Sequence, residues 1–251
     1  MGELMKYIVI TGASKGIGNA LAHELLKHER CGVALTYNTH KNEAFAIAQK
    51  LTEQGFFVIV VKMDVSNEAE VKEGFDYIYK CFPRIDVLIN NAGIALVLPF
   101  YETTTLDWNR IINVNLNGAF YTIKQVIDKM NSLSSGVILN ITSVWGEVGA
   151  SCEVAYSASK AGLIGMTKAL SKEYDLSIKA ISVGFVDTDM NRHMTKQDID
   201  NFLLENSDIA FRSPMYTASK ILEIMDSEIQ KVESGYYLNN DKKDDVVIRI
   251  W

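Results

Sequence analysis

The chain of 251 residues holds only three prolines and three cysteines. Cys31, Cys81 and Cys152 are odd in number, far apart and never spaced as CxxC. That excludes a disulfide framework and, with four scattered histidines, a readable zinc site. A reducing cytosol is the natural setting for such usage. Long hydrophobic runs are missing as well. The longest uninterrupted apolar stretch, 56–61, falls far short of the ~18 residues a membrane span needs. The opening MGELMKYIVITGAS lacks the basic start and long apolar run of a signal peptide, and Lys6 stands where a myristoylation signal has Ser or Thr. Nor is there an excess of positive charge. A net charge of −6 argues against nucleic acid or an anionic membrane surface as the main partner, while leaving room for a small anion in a local basic pocket. No linker, repeat or low-complexity segment divides the chain. A soluble, cytoplasmic protein is expected.

What is present is ample apolar material. Hydrophobic residues make up 48% and charged residues 22%, enough for one large core and too apolar for disorder. Short Val- and Ile-rich runs at 7–11, 32–37, 56–63, 87–90, 137–142 and 178–183 read as buried parallel strands. Helix-periodic segments at 17–29, 43–53, 68–81, 106–130 and 155–174 alternate with them. The alternation predicts an α/β fold: a single Rossmann domain with a doubly wound parallel sheet of about seven strands and helices on both faces. From 187 to 213 the pattern turns polar and irregular, and this stretch is expected to be a substrate lid. The apolar ending 246–251 either folds back on the chain's own core or packs at a subunit interface.

Three groups of residues carry chemistry. The first strand runs directly into TGASKGIG, with Gly12, Gly16 and Gly18 ahead of a helix. Glycines at this spacing permit a tight turn and let main-chain amides approach a pyrophosphate at the helix start. Taken alone, the turn is also compatible with no ligand. An acid that would bind a ribose 2′-hydroxyl is expected ~20 residues on, and the segment 36–41, TYNTHK, has none. With Lys15 in the loop and Lys41 beyond, that suits a 2′-phosphate, unless both lysines are ordinary solvated ones. The second group, Asp64-Val65 and Asn90-Asn91-Ala92-Gly93, sits at strand carboxyl ends, where ligands of open α/β sheets bind. Asp64 could accept from an adenine amino group; the bland reading is a cap or turn. The third is Ser143 at a strand end and Tyr156-Ser-Ala-Ser-Lys160 opening a helix. Tyr156 and Lys160, four apart, share a helix face. An ammonium beside a phenol lowers its pKa, and Ser143 can donate to an oxygen whose charge changes. A lone Tyr–Lys pair is usually a surface pair; its company with the other two groups reverses that reading.

In order, TGASKGIG, Asp64-Val65, NNAG at 90–93, Asn115 in NVNLNG, Ser143 and YSASK at 156–160 resemble the short-chain dehydrogenase/reductase family over about residues 5–240. The resemblance implies an NADP(H)-dependent reductase of a ketone or 3-oxoacyl carbonyl. Its catalytic set would be Asn115, Ser143, Tyr156 and Lys160, with Tyr156 the proton donor and the Asn115 backbone holding a water linked to Lys160. Gly12, Ser14, Lys15, Gly16, Ile17, Gly18, Asn38, Asp64, Val65, Asn91, Ala92, Gly93, Tyr156, Lys160, Val186 and Thr188 would hold the cofactor. Family members are commonly dimers or tetramers, so a homodimer or homotetramer is expected.

The nearest subgroup resembles 3-oxoacyl-acyl-carrier-protein reductases, with departures. Val183-Gly184 replaces Pro-Gly, Ser134-Ser135 and Asp175-Leu-Ser177 stand where carrier-dependent members have arginine, and the C-terminal ending differs. The segment from Trp145 to Glu153 also resembles a branch that reduces an aminoketone on modified elongation factor P. Trp145, Glu147 and Glu153 are therefore candidate substrate residues, the two carboxylates favouring an amine. A different class remains: a catalytically silent NADP-binding regulator on the same fold, which would need no proton donor.

Overall fold

Every second residue along the central strands enters the same apolar layer. Ile8 and Ile10, Val87 and Ile89, and Val137, Leu139 and Ile141 face one side. Val9, Leu88 and Ile138 face the other. Both faces are therefore covered, as parallel sheets require. The computed structural model describes residues 5–28, 31–191, 197, 204, 210–234 and 246–250.

The chain begins β1 (Tyr7–Ile10), α1 (Gly16–Glu24), β2 (Gly32–Tyr37), α2 (Lys41–Glu53), β3 (Phe57–Lys62), α3 (Glu68–Cys81) and β4 (Val87–Asn90). There follow α4 (Thr105–Ile112), α5 (Gly118–Ser132), β5 (Val137–Ser143), the single turn α6 (Trp145–Val148), α7 (Val154–Glu173) and β6 (Ser177–Val183). Two short strands, β7 (Phe185–Val186) and β8 (Phe211–Arg212), precede α8 (Pro214–Glu233) and β9 (Val247–Ile250). The sheet is seven-stranded, all parallel, in the order β3-β2-β1-β4-β5-β6-β9. Leu21, Leu51 and Leu222 bring α1, α2 and α8 onto one face. Phe75, Val126 and Leu170 bring α3, α5 and α7 onto the other. This is the single-domain doubly wound α/β architecture expected.

Side chains set several helix starts. Asn67 accepts from the main-chain amides of Ala69 and Glu70. Thr104 and Asp107 form a reciprocal capping box ahead of α4. Ser213 caps α8, with Pro214 following.

One expectation needs correction. The helix expected over 106–130 is broken into α4 and α5 by a wider turn, Asn113–Asn117, in which the Gly118 amide bonds back to the Asn113 carbonyl. Such turns cluster at functional sites, and here Asn115 is drawn into the interior. The apolar ending does not stand apart: Val247–Ile250 pairs with Ala180–Val183 as the edge strand of the chain's own sheet.

Most of the expected lid lies outside the described residues. Its two ends are tied together, because Phe185 and Val186 pair with Phe211 and Arg212 and the Asp187 amide donates to the Arg212 carbonyl at 2.9 Å.

Candidate active site

The switch in strand order lies between β1 and β4, and a cleft of about 820 Å³ opens at the carboxyl ends of the strands there. Two loops are interlocked across the switch. Thr11 Oγ1 accepts the main-chain amides of Asn91 and Ala92, each at 3.0 Å. In return Asn91 Nδ2 donates to the carbonyls of Thr11 at 2.9 Å and Gly12 at 3.1 Å. Thr11 was not among the sequence candidates. Its signal was its place as the last polar residue before the first glycine.

Gly12 has φ +64°, and a Cβ on it would lie 2.9 Å from Ala92 Cα. Only glycine fits that left-handed, crowded position. Gly18 is needed for another reason: a Cβ there would come within 2.3 Å of the Gly12 carbonyl oxygen. Gly18 thus seats α1 under the loop and does not line the cleft. Val186, buried in β7, also lies behind the wall. The cleft is lined by Gly12, Ser14, Lys15, Gly16, Ile17, Asn38, Asp64, Val65, Asn91, Ala92, Gly93, Tyr156, Lys160 and Thr188, all sequence candidates. The glycine loop at a helix start, the 91–93 loop, Asn38, Asp64 and Lys15 line this one cleft, a set of donors and charges that fits a dinucleotide.

The charged groups differ in part from expectation. Asp64 is engaged on both oxygens. Oδ1 accepts the Ser66 amide and hydroxyl, at 2.9 and 2.7 Å, and Oδ2 accepts Asn38 Nδ2 at 2.9 Å. Burial alone would raise its pKa, but these hydrogen bonds and Lys62 together hold it below the usual carboxylate value. Asp64 therefore positions Asn38 at the cleft as well as facing it. Lys41 is not on the wall: its ammonium sits 5.5 Å from the centre of the Phe45 ring. Lys15 is on the wall, with Nζ 3.3 Å from Asp189 Oδ2.

The reacting end is assembled from β4, β5, α6 and α7. Asn115 Oδ1 accepts the Ile94 amide at 2.8 Å, while its Nδ2 donates to the Ile94 carbonyl and to Ser159 Oγ. These bonds fix the 93–95 loop against α7. Lys160 Nζ donates to the Ile141 carbonyl at 2.8 Å and lies 5.7 Å from the Tyr156 ring centre. Burial pulls its pKa down to about 8. Tyr156 is buried and hydrogen-bonded to Ser143. Burial pushes its pKa up to about 12, the Ser143 bond lowers it, and Glu153 raises it further. The expected lowering by Lys160 is not among these causes, since the ammonium is directed at the Ile141 carbonyl. Burial wins, and the phenol keeps its proton at neutral pH.

Ser143 and Glu153 act directly on Tyr156, Trp145 meets Ser143 through its main-chain amide, and none of the three lines the cleft itself. Glu147, taken as a candidate amine contact, is committed elsewhere: Oε2 accepts Arg249 Nε at 2.9 Å and Nη2 at 2.7 Å. Glu153, at the start of α7, is held by burial at a pKa of about 7. Ser177 is buried and donates to Glu228 Oε2 at 2.7 Å, so it was never a docking position. Of the other positions where carrier-dependent members have arginine, Ser134 and Asp175 are exposed.

A strand–glycine loop–helix cradle joined to a buried serine, tyrosine and lysine defines a dinucleotide-dependent oxidoreductase. Consistent with that class, residues 6–199 match the family model for short chain dehydrogenase. The chain belongs to the short-chain dehydrogenase family. It is 35% identical to the 3-oxoacyl-[acyl-carrier-protein] reductase FabG of Buchnera aphidicola, over 81% of this chain and 82% of that protein. It is 31% identical to the protein of the same name from Staphylococcus epidermidis, over 93% and 99%. A 3-oxoacyl-[acyl-carrier-protein] reductase of Synechocystis is 36% identical, over 78% and 80%. No helix among the described residues is long and apolar enough to cross a membrane.

Proposed function

We propose that the protein is an NADPH-dependent reductase that converts a ketone of the 3-oxoacyl type to an alcohol. The observation that carries this reading is Tyr156: a buried phenol, hydrogen-bonded to Ser143 and proton-bearing at neutral pH, at the end of a dinucleotide-shaped cleft. A silent binding protein would have no use for it. When bound, NADPH supplies the hydride. Its pyrophosphate would rest on the glycine loop at 12–16, its nucleoside between Asn38, Asp64 and Val65, and its nicotinamide end near Gly93, Tyr156 and Lys160. Lys15 would meet a 2′-phosphate after leaving Asp189, with no acid in 36–41 to repel it.

Tyr156 donates its proton to the nascent alkoxide, a transfer of the kind worth roughly 10²–10⁴-fold in rate. Ser143 steadies the carbonyl oxygen as charge builds. Lys160, with its ammonium on the Ile141 carbonyl, would hold the nicotinamide ribose beside Tyr156. Asn115 keeps Gly93–Ile94 and Ser159 in register so that Lys160 faces the cleft.

The names of the relatives support an acyl thioester as substrate. A second reading, an aminoketone, is favoured by Glu153, whose carboxylate flanks Tyr156. The test is consumption of NADPH with acetoacetyl thioesters and, separately, with aminoketones. Saturable thioester reduction supports the first reading; turnover of aminoketones alone supports the second. NADPH binding with no turnover of any ketone would leave a regulator. The enzyme would be cytoplasmic and a homodimer or homotetramer. Because its ending is a strand of its own sheet, light scattering on the intact chain is the suitable check on mass.

A further inference from the structure

α6 is only one turn long, yet each of its first three residues touches something different. Trp145 donates its main-chain amide to Ser143 Oγ at 3.2 Å. The turn therefore limits where the serine proton can point. Gly146 packs directly on α7: a Cβ there would lie 2.8 Å from the Lys160 carbonyl carbon and 2.9 Å from Lys160 Cβ. Glu147 reaches across to β9 and takes the two-pronged bond from Arg249. One turn thus couples Ser143, the backbone of Lys160 and the C-terminal strand.

The Glu147 side chain is only 15% exposed, and its Oε1 is buried with no hydrogen-bond partner among the described residues. A carboxylate in that state is costly unless a cation faces it. The Arg249 guanidinium meets this need with the planar fork that suits a carboxylate. Ordinary exposed pairs contribute little, but here the carboxylate is the buried partner. Without Arg249, Glu147 would gain by turning out to water. The turn that carries it also carries the Ser143 hydrogen bond.

We propose that Arg249 is a positioning residue: acting through Glu147, it holds α6 so that the Trp145 amide fixes the Ser143 hydroxyl for reaction. The proposal rests on the reading of Ser143, Tyr156 and Lys160 as the reacting set. It assigns the C-terminal strand a part in catalysis although Arg249 does not line the cleft.

The test uses the full chain with Arg249→Ala, Arg249→Lys and the exchanged pair Glu147→Arg with Arg249→Glu. Amide hydrogen exchange over 144–149 is measured together with kcat on an acetoacetyl thioester and NADPH affinity. In Arg249→Ala, exchange over 144–149 should quicken while α7 stays protected. The kcat per NADPH-binding site should fall about tenfold, the scale of a lost orienting bond, with NADPH affinity changed less than about twofold. Arg249→Lys should recover part of the loss, and the exchanged pair more. If Arg249→Ala fails to fold, Arg249→Lys and Glu147→Gln carry the same comparison at smaller amplitude. Unchanged exchange over 144–149, or unchanged kcat per binding site, overturns the proposal. Tyr156→Phe is the separate control. Full activity in that variant would sink the catalytic reading itself, whereas loss there with a normal Arg249→Ala would sink only the positioning role.

Discussion

The nucleotide end and the reacting end of the cleft are made by different means. At the nucleotide end the working parts are mostly main chain: a left-handed Gly12 and a Gly18 that no side chain can replace, with the Thr11 and Asn91 side chains locking two loops together. At the reacting end they are side chains whose properties come from burial. Tyr156 is pushed up to about 12, Lys160 pulled down to about 8 and Glu153 raised to about 7. The glycine loop of the cradle is specified by a few contiguous residues. Reactivity depends on everything packed around it, including a contact from the last strand.

Substitutions at the two ends should therefore fail in different ways. At the reacting end, Ser143→Ala should lower kcat roughly 10²–10³-fold, as loss of one oxyanion donor does, with NADPH binding intact. A parallel loss of NADPH affinity would break the separation. At the nucleotide end, Gly18→Ala must displace the Gly12 carbonyl. It should weaken NADPH binding and cost about 1–3 kcal/mol of stability, read by denaturant titration, from overpacking. Lys15→Ala should raise the KM for NADPH by about tenfold and leave that for NADH near its starting value, the loss of one charged contact. Equal kcat/KM for the two cofactors in the unaltered protein would remove the case for a 2′-phosphate site.

The smallest effect concerns pH. Burial lifts Glu153 from 4.5 to about 7 in the folded state. A raised carboxylate contributes stability that is complete below 4.5 and lost as pH climbs to about 7. Glu153→Gln should flatten the fall in Tm across that window. A Tm profile identical to that of the unaltered protein would show that Glu153 titrates normally.

The same division explains what the sequence disclosed. The parallel sheet followed from runs such as VLIN and VILNITS, because strands buried on both faces are continuously apolar. The cradle followed from glycine spacing, because its geometry is local. Asn115 was recognised only by its motif. The wide turn that buries it interrupts a helix whose apolar spacing runs on undisturbed. Thr11 was overlooked because one threonine beside a glycine carries no periodic signal. Glu147 was misread as a substrate contact because its partner, Arg249, lies 102 residues away and no local pattern reports it. The pKa values at the reacting end were not legible for the same reason: Lys160 four residues from Tyr156 suggested a lowered phenol, and burial reversed the sign.

The most direct test of the separation is a paired measurement on Tyr156→Phe: NADPH affinity by fluorescence titration, and turnover of an acetoacetyl thioester in the same preparation. The account predicts affinity within about twofold of the unaltered protein and kcat lower by roughly 10²–10⁴-fold, the range of a lost general acid. Turnover near the original rate, or affinity and turnover falling together, would contradict it.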